Sequence, residues 1–431
     1  NAVLNDTGAL VYSNYLQSFE SSEQTLFVRG EKYTYKFDSA KTFMTLFGSM
    51  VLTRRLYQNA SDSATYVPLD VAFGSENEYM TKEVREAVAF SCAHITPEET
   101  AQLLEKTANF HPHATQIKRV VDSIGVALQT HGETIDTAIQ DEQHIPRQTR
   151  VLAVSMDGTN VLLREAGAGK RGRPNERPGK ENKQSECTAY KNAMVGAISF
   201  YGTPIEGAKT PKRLQSSYVA HMPELYAPTF KAKLEAELDC IESQLPHGTT
   251  KVLLCDGARN LWKYIKCSER YAGYEKLIDY WHSLEHLSQA GEALFGKGAR
   301  EGSAWYKKYA DILMKYDDGA LRVLRSMRYF EQKNKLTHQR TRDLEQQKTF
   351  FMRNHDKMKY AEFRRRKLPI GSGPVEAACK TLVKSRMCRS GMRWSRTGGQ
   401  NILQLRTYVK SNRWESFWNH YNKAIAAQVQ R

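Results

Sequence analysis

Cysteine is sparse and unpaired in this chain. Seven are scattered over 431 residues with no C-x-x-C spacing and no secretory leader, so a disulfide scaffold is excluded and a reduced, cytosolic protein is expected. Long apolar runs are missing too. Nothing approaches the roughly 18 consecutive apolar residues of a membrane span, and no membrane partner is expected. Acid is the third shortage, and a local one. Residues 1–150 hold 13 Lys/Arg against 19 Asp/Glu, a balance of −6, so with a net charge of +16 for the chain the remainder carries +22. From Lys357 to Glu415 there are 15 basic and only 3 acidic residues, with Trp394 and Trp414 interleaved. A merely soluble surface mixes signs, so this imbalance is a nucleic-acid footprint. At this length the chain can hold two or three domains and a large core.

What is present is concentrated in a few short stretches. Pro369-Ile-Gly-Ser-Gly-Pro-Val-Glu376-Ala-Ala-Cys-Lys380-Thr-Leu-Val-Lys384-Ser-Arg386 reads as a helix start. Ser372 or Gly373 can cap it, Pro374 suits its first turn, and Glu376 follows at once. Lys380 and Lys384 come four and eight residues later, on the face of Glu376. Val151-Leu-Ala-Val-Ser-Met-Asp157-Gly alternates apolar residues and then meets an acid and a glycine, which predicts a strand with Asp157 at its tip. Lys251-Val-Leu-Leu-Cys-Asp256-Gly repeats the pattern. Residues 161–164 and 193–200 read as further strands and 230–245 as an amphipathic helix. Asp157 and Asp256 are 99 residues apart and Glu376 lies 120 further on, so any shared site is assembled by the fold.

Strand–strand–strand–helix–strand, with acids at the first and last strands and a third on a later helix, is the layout of a ribonuclease-H-like nuclease core. The motifs Ser-Met-Asp157-Gly, Cys-Asp256-Gly-Ala-Arg259-Asn-Leu-Trp262 and Gly371-Ser-Gly-Pro-Val-Glu376-Ala-Ala-Cys-Lys380 resemble those of the DDE transposases of bacterial insertion sequences, most closely the ISKra type. The last motif continues through Ser390-Gly-Met-Arg393-Trp394-Ser and on to Asn401-Ile-Leu-Gln-Leu-Arg406. Asp279-Tyr-Trp-His282 is similar to the Asp-x-x-His signature of transposases that carry a helical insertion at this point. The resemblance spans about residues 65–415. It implies a two-metal site for Mg²⁺, with Mn²⁺ as a substitute, in which Asp157 bridges both ions while Asp256 and Glu376 each complete one. Two hard divalent ions would activate water or a 3′ hydroxyl and neutralise charge on the reacting phosphate. It also implies auxiliary roles for Asp279, His282 and Arg259, and backbone contacts by Lys380, Lys384, Arg386, Arg393 and Trp394. Relatives often carry a Cys-x-x-Cys zinc-ribbon pair ahead of the Pro68-Leu-Asp equivalent. Residues 58–66 have no cysteine here, so zinc is not expected there.

Elsewhere two readings stay open at each place. In the N-terminal third, 23–37 alternates as a hairpin and 48–57 as another strand. Thr96-Pro-Glu-Glu99 is a capping box opening a helix through Lys106, and a second helix covers 114–128. This pair is either a helix-turn-helix reading DNA through Lys118 and Arg119 or an ordinary packed pair. The basic insert at 166–192 contains Lys170-Arg171-Gly-Arg173-Pro174, similar to an AT-hook that enters the minor groove; the alternative is a flexible basic loop touching phosphates only.

The resulting expectation is a mixed α/β chain. A β-rich region at 1–75 and a helical region at 76–145 precede a ribonuclease-H-like core at 146–282. A helical insertion at 283–368 follows, then the Glu376 helix and a basic tail at 369–431. The expected activity is that of a bacterial, nucleoid-associated DNA transposase, acting as a homodimer or larger on the double-stranded DNA of terminal inverted repeats and target. A structure-selective nuclease or resolvase, or a domesticated DNA-binding protein, is the alternative.

Overall fold

The structure is a computed structural model that describes residues 2–72, 79–165, 187–205 and 210–429. In chain order its elements begin with α1 (Ala2–Gln17), the antiparallel strands β1 (Thr25–Val28), β2 (Glu31–Thr45), β3 (Gly48–Asn59) and β4 (Thr65–Tyr66), and the short α2 (Pro68–Ala72). Helices α3 (Lys82–His94), α4 (Pro97–Thr107) and α5 (Ala114–Asp141) follow. Next come β5 (Val151–Glu165), β6 (Cys187–Tyr201), β7 (Arg213–His221), α6 (Pro228–Ser243), β8 (Thr250–Cys255), α7 (Arg259–Cys267) and β9 (Glu275–Ile278). The chain then turns helical: α8 (Tyr280–Phe295), α9 (Arg300–Lys315), α10 (Gly319–Lys333), α11 (His338–Asn354) and α12 (Tyr360–Arg365). It ends with α13 (Gly373–Ala378), a π-helix over Cys379–Lys384, α14 (Ser385–Met387), α15 (Arg396–Lys410) and α16 (Trp414–Val429). None of the described helices is long and apolar enough to cross a membrane.

Contacts divide the chain into two compact units. One comprises Asn1–Gln143, Leu163–Thr188 and Arg389–Arg431; the other comprises His144–Leu162 and Ala189–Cys388.

In the first unit, the hairpin expected from alternation forms. β1 and β2 meet at Arg29-Gly30, where both residues take positive φ, as a tight two-residue turn requires. α1 was not expected from the sequence; its Leu16 packs against Phe43, Met50 and Leu52 of the sheet. Thr96 and Glu99 form the expected capping box, with Thr96 Oγ1 accepting from Glu99 N at 3.1 Å and Glu99 Oε2 accepting from Thr96 N at 2.9 Å. α5 continues thirteen residues beyond the expected end at 128, because Gly132, Ile135 and Ile139 keep its apolar stripe going. That stripe packs with α3, α15 and α16 through Ile117, Val120, Ile124, Leu405, Trp414 and Phe417. The expected basic tail is therefore a pair of helices with an aromatic seam. Trp414 is buried, and Trp394 is partly buried against the same core.

In the second unit, five strands take the order β7-β6-β5-β8-β9, with β5, β8 and β9 mutually parallel. Side chains alternate between two cores. Val151, Ala153, Val252, Leu254 and Leu277 join α8 to α12 on one face, while Leu152, Val154, Met156, Leu253 and Cys255 meet α6 on the other. Burial on both faces explains the near-continuous apolar runs of the parallel strands. Two expectations need correction. Residues 161–164 are not a separate strand but the far end of β5, which runs unbroken through Asp157, so that acid is not at a strand tip. The third strand is instead β7, a sheet edge whose Gln215-Ser-Ser stretch hides the alternation.

Candidate active site

Parallel pairing sets three aspartates in one row. Val154 faces Leu253 and Cys255 faces Ile278; carried forward, these registers put Asp157 opposite Asp256 and Asp256 opposite Asp279. Because successive strand residues alternate faces, Asp157 follows Ala153, and Asp256 follows Leu254, onto the face covered by α8 to α12.

The three acids are satisfied differently. Asp157 Oδ1 accepts from Gly158 N at 2.6 Å, and Oδ2 lies 3.5 Å from the Cys379 thiol. Asp256 Oδ1 accepts from Ala258 N at 3.0 Å, and among the described residues its second oxygen has no partner. Burial pushes the Asp256 carboxyl up; the Ala258 N–H and His282 oppose this, and the charges of Asp157 and Asp279 add to it. Asp279 is buried, and backbone amides occupy both its oxygens. His282 N donates to Oδ1 at 2.8 Å, capping α8, and Ser372 N donates to Oδ2. The carboxylate thus ties the end of β9 to the chain just ahead of Glu376, an attachment reinforced by Tyr280 N donating to Ile370 O at 2.9 Å.

Glu376 is delivered by this clamp. Ser372 does not use its hydroxyl to cap α13, as expected; the hydroxyl donates to Glu376 Oε1 at 2.7 Å. Four residues before Glu376 the chain is bound to Asp279, and three residues after it Cys379 touches Asp157. The helix bearing Glu376 therefore lies across the aspartate row. Cys379 was not singled out by sequence reasoning, although it sits inside the motif. Burial, then the neighbouring Asp157, pushes its thiol well up, so it stays protonated.

The π-helix shapes the exposed side. Glu376, Lys380, Lys384 and Cys388 are exposed at a strict spacing of four, while Ala378, Cys379, Leu382, Val383, Arg386 and Met387 are buried. An α-helix of 3.6 residues per turn would drift away from a four-residue line; the wider turn removes the drift. Lys380 and Lys384 share the face of Glu376, as expected. Arg386 does not join them. It is 2% exposed, because the extra turn width rotates it onto the inner face, and a phosphate contact by this side chain is corrected to a structural role. Arg393 is exposed, as are Lys118 and Arg119 on α5. Lys170, Arg171 and Arg173 lie outside the described residues.

His282 is 40% exposed and lies 3.5 Å from Glu285. His286 stacks on Phe350 with ring centroids 3.5 Å apart and meets Gln347 Oε1 at 2.6 Å. Gly257 is required by this packing, since a Cβ there would strike the Phe350 ring. Arg259 is exposed at the first residue of α7.

Among the described residues, no three His, Cys, Asp or Glu side chains converge on one ion. Mg²⁺ is commonly bound by one or two carboxylates and completes its shell with water and phosphate oxygens. The open oxygens of Asp256 and Glu376 fit that manner of binding, with oxygen-only donors and no protein cage.

No protein-family model and no curated protein matches the chain. Among solved structures, the Drosophila P element transposase strand transfer complex is similar over 82% of this chain and 83% of that one, at 8% identity and a TM-score of 0.28. A likeness that slight carries no argument.

Proposed function

We propose that this chain is a Mg²⁺-dependent DNA transposase of the DDE type, which cuts at transposon ends and joins the 3′ ends to target DNA. One observation carries the reading: the register of β5 and β8, carried three residues past Val154 and Leu253, sets Asp157 opposite Asp256, and a clamped helix brings Glu376 to the same row. The strand order and the helical segment after β9 support a ribonuclease-H-like core with an insertion. Asp157, Asp256 and Glu376 would hold two Mg²⁺ ions, whose chemistry is to activate water or a 3′ hydroxyl and to neutralise charge on phosphate and leaving oxygen. The chain's own residues do the rest. Asp279 and Ser372 fix where the Glu376 carboxylate points. His282, beside Asp256, favours the ionised carboxylate against the burial that disfavours it. Lys380 and Lys384, on the exposed line of Glu376, attract the backbone next to the scissile phosphate.

The test is cleavage of a labelled duplex carrying the DNA that flanks this gene, with Mg²⁺ or with EDTA. Mg²⁺-dependent nicking followed by joining to a second duplex is expected. Nicking confined to branched substrates would favour a resolvase, and binding without any cleavage would favour a DNA-binding protein.

A further inference from the structure

Asp256 opens onto a cleft of about 1410 Å³ between α7 and α11. Its walls are two helix stripes. α7 contributes Arg259, Trp262, Lys263 and Lys266, the i, i+3, i+4, i+7 spacing that usually forms a buried apolar face. α11 contributes Arg342, Gln346, Thr349 and Arg353, and Lys276 of β9 adds a further cation to the lining. Trp262 is anchored to the site end of the cleft, its indole N–H donating to Asp256 O, and Lys357 lies 5.3 Å from its ring centroid.

The helical segment holds both paired and unpaired cations, Lys307, Lys308 and Arg328 being without an ion-pair partner among the described residues; what distinguishes this cleft is that its unpaired cations line one space. On α9 to α12, Arg322 and Arg325 pair with Asp318, Lys315 with Asp311, Arg365 with Asp317, and Arg366 with Glu275. In the cleft, Glu345 is taken by Lys348 at 2.5 Å and Asp356 by Lys357 at 2.9 Å. Arg259, Lys263, Lys266, Lys276, Arg342 and Arg353 have no ion-pair partner among the described residues. Six cations facing one space repel one another unless an anion of matching length enters.

We propose that this cleft binds a short run of single-stranded nucleic acid continuing from the phosphodiester at Asp256. The choice of strand rests on the proposed function. Spaced cations along both walls suit successive phosphates, and the Trp262 wall suits a base. Size favours one strand, because a cleft of about 1410 Å³ is small beside a duplex whose major groove alone is about 12 Å wide and 8.5 Å deep.

The experiment uses the full chain without metal and a fluorescein-labelled dT₁₂, with a labelled 30-base-pair duplex alongside. Lys263, Lys266, Arg342 and Arg353, all exposed, are changed together to Ala in one variant and to Gln in a second; unaltered thermal midpoints establish that both are folded. Loss of dT₁₂ affinity is expected in both variants, with the slope of log K against log salt reduced by about 0.7 for each lost contact, and with smaller losses on the duplex. An unchanged slope for dT₁₂ overturns the inference, as does polyglutamate competing as well as dT₁₂ at equal charge. The two readings fail separately. If wild type cuts DNA with Mg²⁺ but the slope is unchanged, the cleft assignment falls alone. If the slope drops and no DNA is ever cut, the cleft stands and the transposase reading falls.

Discussion

Asp256 and Asp279 hold the same position at the ends of neighbouring parallel strands, one residue past β8 and one past β9. The sequence around them is alike, an apolar run closing on an aspartate. Their surroundings are not. Asp279 is buried with two backbone amides on its two oxygens, the arrangement that makes a buried charge tolerable. Asp256 receives one amide, keeps one open oxygen, and sits where burial and the charges of Asp157 and Asp279 disfavour its ionised form. An acid whose oxygens are all spent holds the fold together. An acid kept partly desolvated and incompletely bonded carries an unfavourable charge that a proton or a bound cation relieves. Sequence pattern groups the two; their hydrogen bonds separate them.

The largest expected effects test this separation. Asp256→Asn should lower Mg²⁺-dependent cleavage by roughly 10³-fold or more, as loss of a metal ligand costs several kcal/mol of transition-state stabilisation, while thermal stability without metal is kept. Asp157→Asn and Glu376→Gln should behave alike. Asp279→Asn should do the reverse first: its amide nitrogen would face a backbone N–H, costing about 2–3 kcal/mol of stability, with cleavage falling because the Glu376 helix loosens. Equal destabilisation by Asp256→Asn and Asp279→Asn in thermal melts would erase the distinction.

A second contrast lies on the Glu376 helix, between Arg386 and the two lysines before it. Arg386→Ala should cost about 2–4 kcal/mol, the range for emptying a large buried site. Lys380→Ala with Lys384→Ala should leave the melting midpoint in place and reduce the salt slope of duplex binding by roughly 0.9 per lost contact. A stable Arg386→Ala variant with a reduced salt slope would return that arginine to the DNA surface.

These contrasts mark where the sequence was legible. Asp157, Asp256 and Glu376 stand out because each ends or interrupts an apolar pattern, and Lys380 and Lys384 because they repeat every four residues from Glu376. The inward turn of Arg386 was not legible, since a π-helix is set by packing on either side of it and changes the face of every residue beyond. Asp157 reads as a strand tip because Gly158 usually breaks a strand; pairing along the sheet carries β5 past it. The cleft is not legible in the sequence because its six bases come from α7, β9 and α11, which are close only after folding, and local charge counts cannot find them. The burial of Trp414 was not legible for a related reason: Trp interleaved with Arg looks the same whether the side of the helix bearing Trp faces solvent or α5.

Ser372 links Asp279 to Glu376 and gives a smaller effect. Its amide serves Asp279 and its hydroxyl serves Glu376, so Ser372→Ala removes only the second bond. Cleavage should fall about tenfold, or ~1.4 kcal/mol, with a higher Mg²⁺ concentration needed for half-maximal rate and an unchanged melting midpoint. Ser372→Thr should restore the rate. A shifted midpoint with an unchanged Mg²⁺ requirement would make Ser372 a structural link only.

The smallest effect concerns pH and the stability of the metal-free protein. The folded-state pKa of Asp256 is raised, first by burial and then by Asp157 and Asp279. A carboxyl raised in this way is protonated in the folded chain at pH values where the unfolded chain has already ionised, so stability falls as pH rises between the two values. Above the folded value the cost is complete; as pH drops toward the ordinary aspartate range it disappears. Asp256→Asn, which cannot ionise, should therefore melt slightly higher than wild type at neutral pH, and the gap should close on acidification. Mg²⁺ should raise the wild-type midpoint, because a ligand bound only by the folded state stabilises it, and should leave Asp256→Asn much less affected. Were Asp256→Asn to melt below wild type at neutral pH without metal, Asp256 would be a structural acid like Asp279, and the site would have to be sought elsewhere in the row.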